Sequence, residues 1–455
     1  MVVLSFTGKS ILHSNPNPEN KKKFIRAIFD EALVNGESYS TLRSLCKEVG
    51  ARLSGSPAAD SAVTWGFRTL SSYGFDTVYL QAILVPHWER GTVESAWIDP
   101  GYRPSRLDLC ALGGSVGTNG KLTAQVIEVQ GLEDLKEIGE AKIKGKIVFY
   151  NRPMDPRYIK TFKAYSGCVD QRYGGASEAA KYGAVAAICR SMNLKEDEHP
   201  HTGSMGYRDS IKKIPAAALS TESANRLSKI LKSNPDAKIV LEMDCQTLPD
   251  KKSYNVIAEI KGTSSNIIAF GGHLDSWDKG EGAHDDGAGI AHCTEALRIL
   301  KTLKYKPKNT LRCIYFMNEE NGNRGGISYA MQVKVNKEKH TAAIESDAGG
   351  FSPRGFRIDG SKEQISAIAK WRDILEPYGL HEFIPGFAGV DISPLKQRGD
   401  PADSSLLMLG LSPDSQRYFD YHHSDTDVFE AVNQRELELG SASMASIIYL
   451  IDKEF

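Results

Sequence analysis

No stretch of the 455 residues comes near the ~18 to 20 consecutive apolar positions that a membrane-spanning helix requires. The opening MVVLSFTGKS has a short apolar run with neither a basic lead nor a small-residue cleavage site, so no signal peptide is read there. The absence of any Asn-x-Ser/Thr acceptor speaks against a glycosylated secreted chain. The seven cysteines are scattered, odd in number and nowhere spaced Cys-x-x-Cys. They indicate neither a thiolate zinc cluster nor a full disulfide framework, while leaving room for one or two bridges. Neither charge is in excess: 56 Lys and Arg face 57 Asp and Glu, and a net charge of −1 offers no basic surface for nucleic acid or anionic lipid. A small or neutral substrate suits this balance, with no nucleic acid and no membrane as partner.

What is there is the composition of a globular protein, 41% hydrophobic and 25% charged, in a chain long enough for about two or three domains. Asn20 to Tyr73 reads as helical around a loop Arg52-Leu-Ser-Gly-Ser-Pro57, and Thr77 to Val85 and Gly91 to Ile98 read as strands. Around Gly101 to Leu112 the pattern breaks into Pro and Gly. Ile143 to Tyr150 then reads as a strand, and Gly175 to Tyr182 followed by Gly183 to Ile188 as helix, glycine and buried strand. After Lys251 the rhythm becomes strand and helix in alternation: Ser253 to Ile260, Ile267 to Phe270, a helix from Ala288 to Leu300, then Thr310 to Phe316 and Ala342 to Ile344. That rhythm predicts an α/β fold, a mostly parallel mixed sheet with helices on both faces, whose ligands gather at the carboxyl ends of the strands. The expected division is 1–104 and 250–455 for one domain and 105–249 for a unit inserted into it.

Each strand end in the last segment delivers a metal-type ligand. His273 closes an apolar run, and Asp285 stands at the mouth of a helix. Glu319 and Glu320 end Tyr-Phe-Met-Asn-Glu-Glu, Asp347 follows Ala-Ala-Ile-Glu-Ser, and His423 lies in Tyr-His-His-Ser. Two imidazoles and three carboxylates suit a pair of borderline cations such as zinc. The adjacent Glu319 and Glu320 repel one another unless cations lie nearby. Taken alone, Asp285 or Asp286 could equally cap the following helix, and His284, His292 and His422 read as structural.

The segments Gly-Gly-His-Leu-Asp-Ser-Trp277, His284-Asp-Asp-Gly-Ala-Gly289, Asn318-Glu-Glu-Asn321, Glu345-Ser-Asp-Ala-Gly349 and Tyr421-His-His-Ser424 resemble, in order and spacing, the metal-site motifs of the zinc exopeptidase family of bacterial aminopeptidases and glutamate carboxypeptidases. Val-Pro-His-Trp-Glu-Arg-Gly91, Arg52-Leu-Ser-Gly-Ser-Pro57 and Gly389-Val-Asp-Ile-Ser393 are similar to one carboxypeptidase branch of it. Ile143 to Ser220 resembles the protease-associated domain inserted in that branch.

The resemblance implies two zinc ions per chain, with Asp285 bridging them, His273 and Asp347 on one, and Glu320 and His423 on the other. It makes Glu319 the general base and Asp275 the carboxylate that orients His273. Two such metals about 3.5 to 4 Å apart would activate a water whose proton a non-ligand carboxylate takes. A site at a sheet rim needs a roof, which makes the polar, aromatic loop His199 to Tyr207, with His201, a candidate for substrate contact. Asp391, for a substrate ammonium, and Tyr421 are the others. The activity implied is hydrolysis of dipeptides or short peptides from a free terminus, by a metal-bound hydroxide and in the carboxypeptidase direction. An aminopeptidase on the same cage is the runner-up, ahead of a one-zinc glutaminyl cyclase or a receptor-like relative without catalysis. A secreted or lysosomal-type compartment and a homodimer also rest on the resemblance alone.

Overall fold

The computed structural model describes residues 18–99, 105–397 and 405–455; the opening MVVLSFTGKS and part of the Pro/Gly break after Asp99 lie outside them. Two eight-stranded sheets organise the chain. The first runs, edge to edge, Thr77–Glu89, Gln246–Ile260, Thr310–Phe316, Ile267–His273, His340–Glu345, Leu407–Pro413, Pro353–Asp359 and Glu382–Pro385. Its four central strands are parallel and antiparallel strands flank them, so the sheet is mixed.

Side chains alternate across a strand with period two, and the apolar residues obey it. Ile268 and Phe270, with Leu311, Cys313, Ile344 and Leu409, join one core with helices Pro18–Asn35, Pro57–Ser72, Ala288–Thr302 and Gln434–Glu454. Ile267 and Ala269, with Ile314, Phe316 and Met408, face the opposite way onto Tyr329 and Ala330 of helix Arg324–Asn336. A strand buried on both faces carries an unbroken apolar run, which is why Ile267–His273 is legible without alternation.

Thr77–Glu89 and Gln246–Ile260 pair antiparallel along their length, from Thr77 opposite Glu259 to Glu89 opposite Gln246. They form a stem through which the chain leaves the first sheet and returns. Between them lies the second sheet: Ser105–Leu107, Glu94–Asp99, Lys238–Met243, Leu122–Val129, Ile147–Tyr150, Ala186–Arg190, Ala216–Leu219 and Leu109–Ala111. Its strands therefore come from 94–243, and the expected borders at 105 and 249 shift. Glu94–Asp99, assigned on sequence grounds to the first domain, pairs instead with Lys238–Met243, because Ala96 and Ile98 bury among Leu227, Ile239 and Leu241. The returning strand starts at Gln246, not after 249, since its first half is exposed and carries no apolar pattern. Pro353–Asp359, Glu382–Pro385 and Leu407–Pro413 had no counterpart in the sequence reading. All seven cysteines are buried and free, so the room left for a bridge is not used. Among the described residues no helix is long and apolar enough to cross a membrane.

Candidate metal centre

Parallel pairing with a fixed register puts the strand ends side by side. His273 lies opposite Phe316, Gly271 opposite Glu345, and Glu345 opposite Gly410. The residues just past Phe316 and Glu345, Glu319, Glu320 and Asp347, are thereby delivered to the same edge as His273. Gly272 is required there: a Cβ on it would come within 2.2 Å of Asp286 Oδ2 and 2.9 Å of the Ser346 carbonyl.

The site turns on Asp285, whose two carboxylate oxygens face different partners. Oδ1 stands 3.1 Å from His273 Nε2, which is itself 3.6 Å from Asp347 Oδ1. Oδ2 stands 3.2 Å from His423 Nε2, which is 3.3 Å from Glu320 Oε2. His273, Asp285 and Asp347 present ligand atoms all within 4.8 Å of one another. Asp285, Glu320 and Asp347 have no Lys or Arg partner among the described residues. Two buried carboxylates and a half-buried one without Lys or Arg partners, paired with imidazoles across one bridging carboxylate, fit two borderline cations.

His422 also reaches Asp285, at 3.6 Å, and forms a second ligand-type group with Asp285 and His423. His423 is the better donor of the two. It alone meets both Asp285 and Glu320, while the His422 ring is packed among Tyr165, Tyr418 and Phe419. His284 stacks on Phe351 at 4.2 Å and His292 bonds the Ser346 hydroxyl at 2.9 Å, both away from the ligand sets.

The supports are largely backbone. His273 Nδ1 meets the Asp275 carbonyl at 2.9 Å, leaving Nε2 turned to Asp285; the Asp275 carboxylate is 3.8 Å from that ring. Expected to orient His273, the carboxylate instead accepts the N–H groups of Asn318 at 2.7 Å, Glu319 at 3.0 Å and Glu320 at 3.4 Å, and so fixes the loop bearing the two glutamates. Asp286 accepts the N–H of His273 and that of Gly289, the latter in the capping role read from the sequence. Asp427 accepts the N–H groups of His284 and Asp285 at 2.7 and 3.1 Å, and burial pushes its carboxyl up to about 7. The fully buried Arg52 donates to the carbonyls of Leu274, Glu281 and Gly282, tying the His273 and Asp285 loops together. Sequence reading passed over Arg52 and Asp427 as players; the Arg-Leu-Ser-Gly-Ser-Pro loop and the His-Ser-x-x-Asp spacing were the available signals.

Glu319 is half-buried beside the ligands. Burial raises its carboxyl well above the usual range, and Asp347, Glu320 and Asp285 push the same way against His273. Burial also raises Glu320, to about 7. His423, lowered by burial, is lifted to about 9 by Glu320 and Asp285.

The three residues expected to contact substrate sit in three different surroundings. His201 is buried beneath the metal-site loop, its Nδ1 on the His422 carbonyl at 2.6 Å, and burial lowers it to about 4. Tyr421 packs on His284 and Phe351. Asp391 is buried, and its carboxylate oxygens make no hydrogen bond among the described residues. None of the three lines the 640 Å³ cavity that opens beside Asp347, between residues Ile159 to Ser166 of the insertion and strands Pro353–Asp359 and Leu407–Pro413.

The sequence profile of peptidase family M28 matches residues 255–447. Carboxypeptidase Q of Homo sapiens is 34% identical over 428 residues, covering 93% of this chain and 87% of its own length. A peptidase M28 precursor from Shewanella amazonensis SB2B has a solved structure with a TM-score of 0.89 at 34% identity, covering 96% of this chain and 97% of its own. A zinc aminopeptidase from Bacillus subtilis, at 19% identity and a TM-score of 0.63 over 91% of this chain and 94% of its own, shares the fold. The likeness extends well beyond the metal-site strands into the insertion, and the chain belongs to peptidase family M28 as a metallo-exopeptidase.

Proposed function

We propose that the chain holds two zinc ions and hydrolyses dipeptides or short peptides in the carboxypeptidase direction. The division of Asp285's two oxygens between the His273–Asp347 and Glu320–His423 sets carries the two-metal reading. Zinc held there supplies an acidified water and a polarised scissile carbonyl. Glu319 takes the proton of the attacking water and returns it to the leaving amine. Its raised affinity for a proton suits that double role, because a carboxyl that holds its proton more firmly both accepts and returns it. Asp275 keeps Glu319 at its station through the backbone.

The aminopeptidase direction is the second reading. It draws on the acidic end of the cavity, where Glu345 and Asp347 could receive an ammonium. The 94–243 unit is read as a protease-associated domain, on the strength of its resemblance and of its contact with the His422–His423 loop.

Glu319→Gln tests the assignment. The variant is expected to keep its zinc and lose ~10²- to 10⁴-fold in turnover, the usual contribution of a general base. Hydrolysis near the parental rate would remove Glu319 from the mechanism, and a zinc content of one per chain would remove the two-metal reading.

A further inference from the structure

The cavity beside Asp347 mixes acidic and basic side chains, and one of its basic groups is left without a charged partner. Two of its basic residues are already paired, Arg354 with Asp414 at 3.1 Å and Lys160 with Glu382 at 3.3 Å. Arg357 has no ion pair and no hydrogen bond among the described residues. Its guanidinium lies 5.3 Å from the ring centroid of Phe162, which belongs to the insertion and also lines the cavity. The position is held from both sides: on strand Pro353–Asp359, Arg357 pairs with Gly410 and with Ile384 of the two neighbouring strands. The remaining wall is apolar. Ile159 and Phe387 line the cavity although they are 81% and 59% exposed, an unusual use of large apolar groups at a surface.

We infer that Arg357 receives the free α-carboxylate of the substrate, with an apolar C-terminal side chain lying against Phe162, Ile159 and Phe387. Resting on the exopeptidase reading, this deepens it. A planar fork with no protein partner matches a carboxylate through two parallel N–H donors. The cavity, at 640 Å³, is of the size that takes a small molecule and extends to the metal ligand Asp347. A peptide held by its terminal carboxylate at Arg357 lies in the same cavity that Asp347 lines. Arg357 is thus the residue that selects a C-terminus over an N-terminus.

The test measures binding apart from turnover. Zinc-loaded Glu319→Gln protein is titrated calorimetrically with alanyl-leucine and with its C-terminal amide. The acid is expected to bind ~10- to 100-fold more tightly, as one charge-assisted bidentate contact provides. Adding Arg357→Met should bring the two ligands to near-equal affinity, and Arg357→Lys should restore part of the preference. Zinc content and circular dichroism should match in all three proteins. Equal binding of acid and amide with Arg357 in place, no detectable binding of the acid, or an unchanged preference in Arg357→Met would each overturn the inference. Acid-selective binding by the Arg357 protein, with no hydrolysis of either ligand by the parental enzyme, would instead uphold the anchor and overturn the exopeptidase reading.

Discussion

Glu320 and His423 stand 3.3 Å apart and hold protons that a metal would displace. Without cations, burial brings Glu320 to about 7, while Glu320 and Asp285 outweigh burial and lift His423 to about 9. At neutral pH the metal-free protein therefore carries a protonated His423 and a partly protonated Glu320. Zinc requires the deprotonated form of both, so its uptake must release protons, and affinity should climb as pH rises through the Glu320 value and then the His423 value. Zinc titrations in two buffers of different protonation enthalpy measure the protons released. A count of zero near neutrality would show that these two side chains are not the ligands. The same residues explain what was legible at this scale: His273, Asp285, Glu320 and Asp347 end apolar runs or open helices, and that position can be read from a single chain. Arg52, Asp427 and Thr202 cannot be found that way, because they act through backbone groups up to 230 residues distant.

The loop His199 to Tyr207 shows how an element can serve a site it does not enter. His201 Nδ1 bonds the His422 carbonyl at 2.6 Å, and the Thr202 N–H donates to the His423 carbonyl at 3.0 Å. Between them they hold His423 at φ 65°, a left-handed conformation that disfavours a side chain by roughly 1 to 2 kcal/mol. Gly203 completes the clamp, since a Cβ there would come within 2.7 Å of His423 Nδ1, at a φ of 138° that L residues rarely adopt. Gly203→Ala should therefore weaken zinc binding ~10-fold or more with all five proposed ligands intact, the scale on which supports of metal ligands act. Metal-competition titration decides it. Undiminished affinity, combined with a raised Michaelis constant, would return the loop to the substrate-contact role first read from its composition. Polarity and turn residues showed that His199 to Tyr207 was exceptional, but not that its partner was another loop. Likewise the exposed Gln246 to Lys252, with Pro249 and Asp250 inside it, gave no period from which half of a long strand could be drawn.

Between the two sheets the decisive contact is Arg90, which follows the stem strand Thr77–Glu89. Its guanidinium clasps Asp278, one residue past Trp277, at 2.6 and 2.8 Å, and reaches Glu94 at 2.8 Å and the Ala111 carbonyl at 2.6 Å inside the second sheet. Trp277 buries into the core of that sheet with Leu53 and Trp88. The parent protein should accordingly unfold in one calorimetric transition. Arg90→Met, which strands Asp278 at a cost of about 3 kcal/mol while Glu94 keeps Lys279, should split it in two. Two separated transitions in the parent would mean that the sheets are only loosely joined. Sequence rhythm separates an insertion from its host, yet it cannot say to which sheet Glu94–Asp99 belongs, since either would accept its alternation of Ala96 and Ile98.

The order in which the proposed ligands occur, from His273 to His423, bears on the life of the chain before it is finished. The last of them follows both the insertion that clamps it and the strand that walls the cavity. During synthesis at about 5 to 20 residues per second, on the order of ten seconds separates the first ligand from the last. A nascent chain interrupted anywhere in that interval has no complete cage and no Glu320–His423 metal position. Hydrolytic power therefore waits on His423, and a chain stopped before it is inert.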